Sequence, residues 1–204
     1  MTEAEWLACG DPRRLLDRVG SSYRRLRLFA CAECRRQLNN VVRDEFRDAL
    51  DVAENYAAGI ATDEALSAAS QTTMYGSARR RANRAQSPTL GLIHWLVQPD
   101  DSMISTASLA VASKPAARQW QCQILRDIFG NPFRPVAFSP DWRTDTALSL
   151  ARMMYDAREF GAMPILADAL QDAGCDNGDI LNHCRGDGPH VRGCWVVDLV
   201  LGRE

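Results

Sequence analysis

The chain has 204 residues, 46% hydrophobic and 25% charged, with 13 glycines and 9 prolines, an ordinary globular composition that excludes collagen, coiled-coil, low-complexity and largely disordered chains. Lys plus Arg number 24 and Asp plus Glu 26, a net charge of -2, so no whole-chain attraction to nucleic acid or to an anionic membrane is indicated. No run of about 18 apolar residues occurs and the opening MTEAEWLACGDPRR lacks the basic-then-apolar order of a secretion signal. A cytoplasmic protein with no membrane association is expected, and the odd count of seven cysteines points to reduced thiols.

The pattern is helical nearly throughout. Thr2 and Glu5 form a capping box before Trp6, and Asp11 followed by Pro12 gives an N-cap and a first-turn proline ahead of Leu15 and Val19. A longer helix is expected from Ser21 or Ser22 through Phe29 and Leu38, with a break near Asn39 and Asn40 before the helical spacing of Phe46, Ala49, Leu50, Ala53 and Tyr56. Gly59 stops that helix and Thr62 restarts another. Residues 76–91 hold a basic cluster with Ser, Pro and Gly, a loop or exposed linker.

Short apolar helices follow at Leu90–Val97 and Met103–Ala112, and Pro115 opens a stronger one that Gly130-Asn131-Pro132 must end. The stretch NPFRPVAFSPDW is an ordered proline-rich loop, since proline excludes both helix interior and central strand. Helices through Leu148 and Tyr155, from Pro164 to Leu170, from Asp176 or Asn177 to His183 or Cys184, and from His190 to Leu201 complete the chain. Alternating strand patterns are almost absent. The expected fold is all-α: one domain over 1–204, an irregular bundle of about eight to ten short and medium helices arranged as hairpins, with a possible break at 76–91.

The segments LRLFACAECRR (Leu26 to Arg36), LRDIFGNPFRPV (Leu125 to Val136), MPILADALQDAGC (Met163 to Cys175) and HCRGDGPHVRGCWVVDLVLG (His183 to Gly202) together resemble a paralogous family of planctomycete proteins, sometimes associated with Smi/Knr-type domains. The resemblance runs the length of the chain and implies no activity, substrate or catalytic residue. In that family the first motif often reads CACCRR; here Glu33 stands in place of the inner cysteine, which argues against an obligatory metal site in this segment.

Among the residues themselves, Cys31 and Cys34 have the C-x2-C spacing of zinc knuckles and redox motifs, although they sit inside a helical pattern. His183, Cys184, His190 and Cys194 place four N or S donors within twelve residues. Zinc held by Cys31, Cys34 and two of these four is one reading, and thiols packed as small hydrophobes are the simpler one. His190 and Cys194, four apart at the start of the expected last helix, also suggest a thiol nucleophile, but no orienting third group is evident. P-loop, dinucleotide, HExxH and GxSxG signatures are absent. The leading expectation is a non-catalytic module that binds a protein partner, and not nucleic acid, through Phe133, Arg134, Arg185, His190, Arg192 and Trp195. Aromatic and arginine side chains dominate such surfaces. The alternative is a structural zinc-binding or thiol-dependent protein. Arg185 and Arg192, flanking the Gly186-Asp187-Gly188-Pro189 turn, are further expected either to face water or to converge on an anion.

Overall fold

A computed structural model describes residues 1–20, 22–38, 44–78, 88–98 and 115–203. Among them there are eleven α-helices and no strand, so the chain is all-α as its periodicity predicts. The expected break at Asn39 and Asn40, the basic cluster from Arg79 to Arg84 and the helix at Met103–Ala112 lie outside the described residues. No helix among the described residues is long and apolar enough to cross a membrane.

The residues group into two compact units, Cys9–Cys122 and a second formed by Met1–Ala8 with Gln123–Glu204. The first contains α2 (Pro12–Val19), α3 (Tyr23–Gln37), α4 (Asp44–Ala57), α5 (Asp63–Ala78), α6 (Pro88–Leu96) and the start of α7 (Pro115–Phe129). Asp11 caps α2 by accepting from the Arg13 amide at 3.0 Å, with Pro12 in the first turn, as the sequence predicts. α4 and α5 form a hairpin, and α3 and α6 pack against α4. Leu28, Phe29, Leu50, Leu66, Leu92 and Ile93 bury their side chains fully. The buried Arg27 donates to the carbonyls of Leu96 at 2.5 Å and Gln98 at 3.2 Å, satisfying acceptors at the end of α6 that its helix leaves open.

The other unit holds α1 (Glu3–Ala8), the end of α7, α8 (Asp145–Ala157), α9 (Met163–Asp172), α10 (Gly178–Arg185) and α11 (Trp195–Leu201), with a 3-10 turn at Pro140–Trp142 inside the proline-rich loop. The Thr2 amide donates to Glu5 Oε2 at 2.8 Å and the Glu5 amide to Thr2 Oγ1 at 3.2 Å, the reciprocal capping box read from the sequence. α1 is tied down by distant residues: Arg126 donates to the Trp6 carbonyl at 2.7 and 3.2 Å, and Asn131 Nδ2 to Glu3 Oε1 at 2.7 Å. α8 packs on α9 and α11, and α9 on α10. Ile128, Met154, Tyr155, Leu166, Ile180 and Val196 are among the fully buried side chains of its core.

The last helix differs from expectation. It begins at Trp195 and not at His190; residues 190–194 form a turn-containing loop. Gly193 adopts φ +94°, in the left-handed half of backbone space, which a continuing helix forbids. The Val191 amide is meanwhile engaged by a carboxylate on another helix. This loop is where the candidate chemistry lies.

Candidate metal centre

Three segments of the C-terminal unit bring four side chains together. Asp127 sits in the last turn of α7, which Gly130 ends in the left-handed region at φ +68°. His183 is in the last turn of α10, whose start is fixed by Asn177 Oδ1 accepting from the amides of Asp179 at 3.0 Å and Ile180 at 3.1 Å. His190 and Cys194 open and close the loop that leads into α11, where Cys194 is the N-cap. One ligand atom from each of the four lies within 4.8 Å of every other.

The distances show how these groups face each other. His190 Nδ1 is 2.7 Å from Asp127 Oδ1, and His183 Nε2 is 3.1 Å from the same oxygen. His183 Nε2 is also 3.2 Å from Cys194 Sγ, and His190 Nδ1 is 3.9 Å from that sulfur. Asp127 Oδ2 is turned away and accepts from the Val191 amide at 3.0 Å, so a backbone donor fixes the plane of the carboxylate. Each histidine thus presents a single ring nitrogen to both the carboxylate and the thiol.

That convergence separates two kinds of chemistry. In a Cys-His-Asp relay the imidazole must use its two nitrogens for different partners, taking a proton on one side while the acid holds the other. Here one nitrogen of His183 meets both groups, and its single N–H cannot serve them both. Four donor atoms aimed at a common point is the geometry of a metal cage. With Zn–N and Zn–O near 2.1 Å and Zn–S near 2.3 Å, tetrahedral donors stand about 3.3–3.6 Å apart, and the separations of 2.7, 3.1, 3.2 and 3.9 Å bracket that range. Cys194 is moreover fully buried, closed to a substrate carbon.

Surrounding groups hold the rings. The Trp195 ring lies 5.1 Å from that of His183, and the two imidazoles meet edge to face at 4.9 Å. Trp195 rests against Gly130, where an added Cβ would come within 3.3 Å of its Cγ. The buried Arg192 donates from Nε to the Tyr155 carbonyl at 2.6 Å, with its guanidinium 4.9 Å from the Tyr155 ring, and so fastens the middle of the loop to α8. Burial, followed by the charge of Asp127, pushes the Cys194 thiol well above its ordinary range. For Asp127 burial opposes ionisation, yet hydrogen bonds and charge from His183 and His190 outweigh it and hold the carboxyl below its usual range.

A cleft of about 240 Å³ adjoins the cluster. Asp127, His183 and His190 line it together with Gln123, Arg126, Asn182 and the turn around Gly186 and Gly188, whereas Cys194 does not.

The donors expected from the sequence divide accordingly. His183, His190 and Cys194 are brought together, joined by Asp127. Cys184 is buried on α10, its thiol pushed up to about 12 by burial and by Cys175, and is not part of the group. Cys31 and Cys34 are buried on α3 in the other unit, and the group found among the described residues does not include them. Helical i, i+3 spacing puts both on one face, and that face is core. The arginines flanking the glycine turn do not converge on a common point: Arg185 donates to Asp168 Oδ1 at 2.9 Å and Gln171 Oε1 at 2.7 Å, whereas Arg192 turns inward. Arg134 pairs with Glu3 at 2.5 Å and Asp179 at 3.5 Å, and Phe133 is half-buried.

Asp127 escaped the sequence reading. Its signal was present in LRDIFGN, where Ile124, Leu125 and Ile128 define the buried face of the helix and an acid occupies a position within that stripe. A carboxylate buried in an apolar helical stripe needs a partner, and here the partners are histidines. Compared with protein-family models, with curated proteins and with solved structures, the chain matches none.

Proposed function

We propose that this chain is a zinc-binding protein, its ion held by Asp127 Oδ1, His183 Nε2, His190 Nδ1 and Cys194 Sγ. The single observation that carries the reading is the convergence of four donor atoms within 4.8 Å, with each histidine offering one nitrogen to both the carboxylate and the thiol. The donor set of one sulfur, two imidazole nitrogens and one carboxylate oxygen suits zinc, which takes all three ligand types in tetrahedral arrangement. Bound there, the ion would tie together the end of α7, the end of α10 and the loop before α11. The Val191 amide on Asp127 Oδ2 serves as the outer support that ligating carboxylates ordinarily have.

The protein-partner reading has less behind it. Of the side chains that suggested it, Arg192 is buried, Trp195 rests on Gly130 and His183, and Arg134 and Arg185 are engaged by acids of their own unit.

The test is elemental analysis of untagged protein, which should contain one zinc per chain. Cys194→Ala and His183→Ala proteins that remain folded should contain none. Stoichiometric zinc retained in both variants would overturn the assignment.

A further inference from the structure

The four donors differ in how they are reached. Cys194 is fully buried and takes no part in the cleft wall, while Asp127, His183 and His190 all line the cleft. The His183 side chain keeps 20% of its surface exposed, against 7% for His190 and 3% for Asp127. The 190–194 loop, by contrast, is fastened down. Arg192 donates to the Tyr155 carbonyl at 2.6 Å and so ties the middle of the loop to α8, and the Val191 amide holds it to Asp127 at 3.0 Å. Trp195, at the start of α11, packs against His183 and Gly130. An ion arriving through the cleft therefore meets the oxygen and nitrogen donors before it meets the sulfur.

A buried metal site needs a way in, and the cleft has the size for one. Its 240 Å³ accommodates an ion carrying about six waters, each occupying roughly 30 Å³ in the liquid. Resting on the zinc assignment above, we propose that this cleft is the route by which the ion is loaded and withdrawn, with the donors of the cleft wall taking it first and Cys194 completing the tetrahedron last. With all four donors in place the ion keeps no position for an outside ligand, so the cleft governs the rate of exchange and not the affinity. Loading and withdrawal share one path, and the sulfur bond that forms last is the first to break when the ion leaves.

The experiment uses the full chain with cobalt(II), whose visible ligand-field bands report binding, and follows loading and chelator withdrawal by stopped flow beside the equilibrium affinity. Gly188 lines the cleft, an added Cβ there meets nothing within 4 Å and its φ lies outside the left-handed region, so Gly188→Trp narrows the cleft without straining the backbone. Gln123, exposed on α7, gives Gln123→Trp as an independent obstruction. Both should slow loading and withdrawal by the same factor and leave the cobalt Kd unchanged. Ile165→Trp, exposed on α9 and outside the cleft wall, should change neither rate. At cobalt concentrations that saturate it, Cys194→Ser should load at the wild-type rate and lose its ion faster, because the sulfur bond forms only after entry. Wild-type rates in both cleft variants, or equal slowing by Ile165→Trp, overturn the route and leave the metal site standing. Weaker affinity with an unchanged loading rate in the cleft variants makes the cleft a supporting wall and overturns it as well. Slower loading of Cys194→Ser overturns the order of donors. Failure of the wild-type chain to bind cobalt or zinc overturns the route and the site together.

Discussion

Two clusters of buried and half-buried polar side chains, one in each unit, both set cysteine beside an acid and differ in geometry. On α3, Cys31, Glu33, Cys34 and Arg35 come from a single helix, and their charges are met by neighbours: Arg35 pairs with Glu54 and Asp51, and Arg36 with Glu33 at 2.9 Å. Burial pushes both thiols up, with Glu54 adding to it at Cys31 and Glu33 at Cys34. In the C-terminal unit Asp127, His183, His190 and Cys194 come from three segments and point at one place. One stretch of helix spreads its side chains around an axis, so a helical C-x2-C gives two donors at most. Several segments meeting end to end can enclose an ion. The comparison predicts that only the second cluster binds metal.

Loss of a single donor separates the two clusters most sharply. Asp127→Ala, His190→Ala or Cys194→Ala should each lower zinc affinity by at least about 100-fold in a chelator competition, whereas Cys31→Ala with Cys34→Ala should leave zinc content unchanged. Removing the metal from the wild-type chain at zinc a thousandfold above Kd should lower unfolding stability by about 4 kcal/mol in urea titrations. Equal zinc loss from the α3 double variant would erase the distinction between the clusters.

Next in size are the two buried arginines, one in each unit. Arg27→Met leaves the Leu96 and Gln98 carbonyls without their donor, and Arg192→Ala leaves the Tyr155 carbonyl. Each should destabilise by about 2–3 kcal/mol, the size of orphaning buried acceptors of a charged donor. They part company at the metal: Arg192→Ala frees the loop that carries His190 and Cys194 and should also weaken zinc binding, while Arg27→Met should not.

The pH dependence follows from the sign of the Cys194 shift. Burial and the Asp127 charge keep its thiol protonated through neutral pH in the metal-free chain. Zinc must displace that proton, so affinity rises with pH, by about tenfold for each unit between pH 7 and 8. Calorimetry in buffers of different ionisation enthalpy should show one proton released. Affinity flat over that interval would mean that the sulfur is not a ligand.

The helices were largely legible because their signals are local. The Thr2/Glu5 box, Asp11-Pro12, the Asn177 cap and the glycine stops act within one turn, and the structure uses them as read. The start of the last helix was not, since what pulls residues 190–194 out of helical geometry includes the Asp127 carboxylate, 64 residues upstream of the Val191 amide it binds. The same distance hid the site. His183, His190 and Cys194 stand close in sequence and could be grouped; Asp127 belongs with them only once α7 is folded against the loop. Spacing also suggested Cys31 and Cys34, whose partners turned out to be core.

The smallest effect concerns the two arginines that flank the glycine turn and read alike in sequence. Arg185 reaches Asp168 at 2.9 Å with 42% of its side chain and 72% of the acid's exposed, so water and salt screen the pair. Arg185→Ala should therefore change stability by less than about 1 kcal/mol and leave zinc affinity within about twofold, an upper bound given how weakly exposed charges act at a distance. Arg192, with its guanidinium against Tyr155 and its Nε on the Tyr155 carbonyl, has no solvent to replace what it loses. A denaturation series in 50 mM and 500 mM salt, concentrations that bracket about a 14 Å to 4 Å screening length, separates them further: the Arg185 increment should vanish at high salt and the Arg192 increment persist. An Arg185 variant that unfolds as readily as the Arg192 variant, or that loses its metal, would mean that the turn itself is held by the surface pair and that the loop owes less to its buried anchors than the geometry indicates.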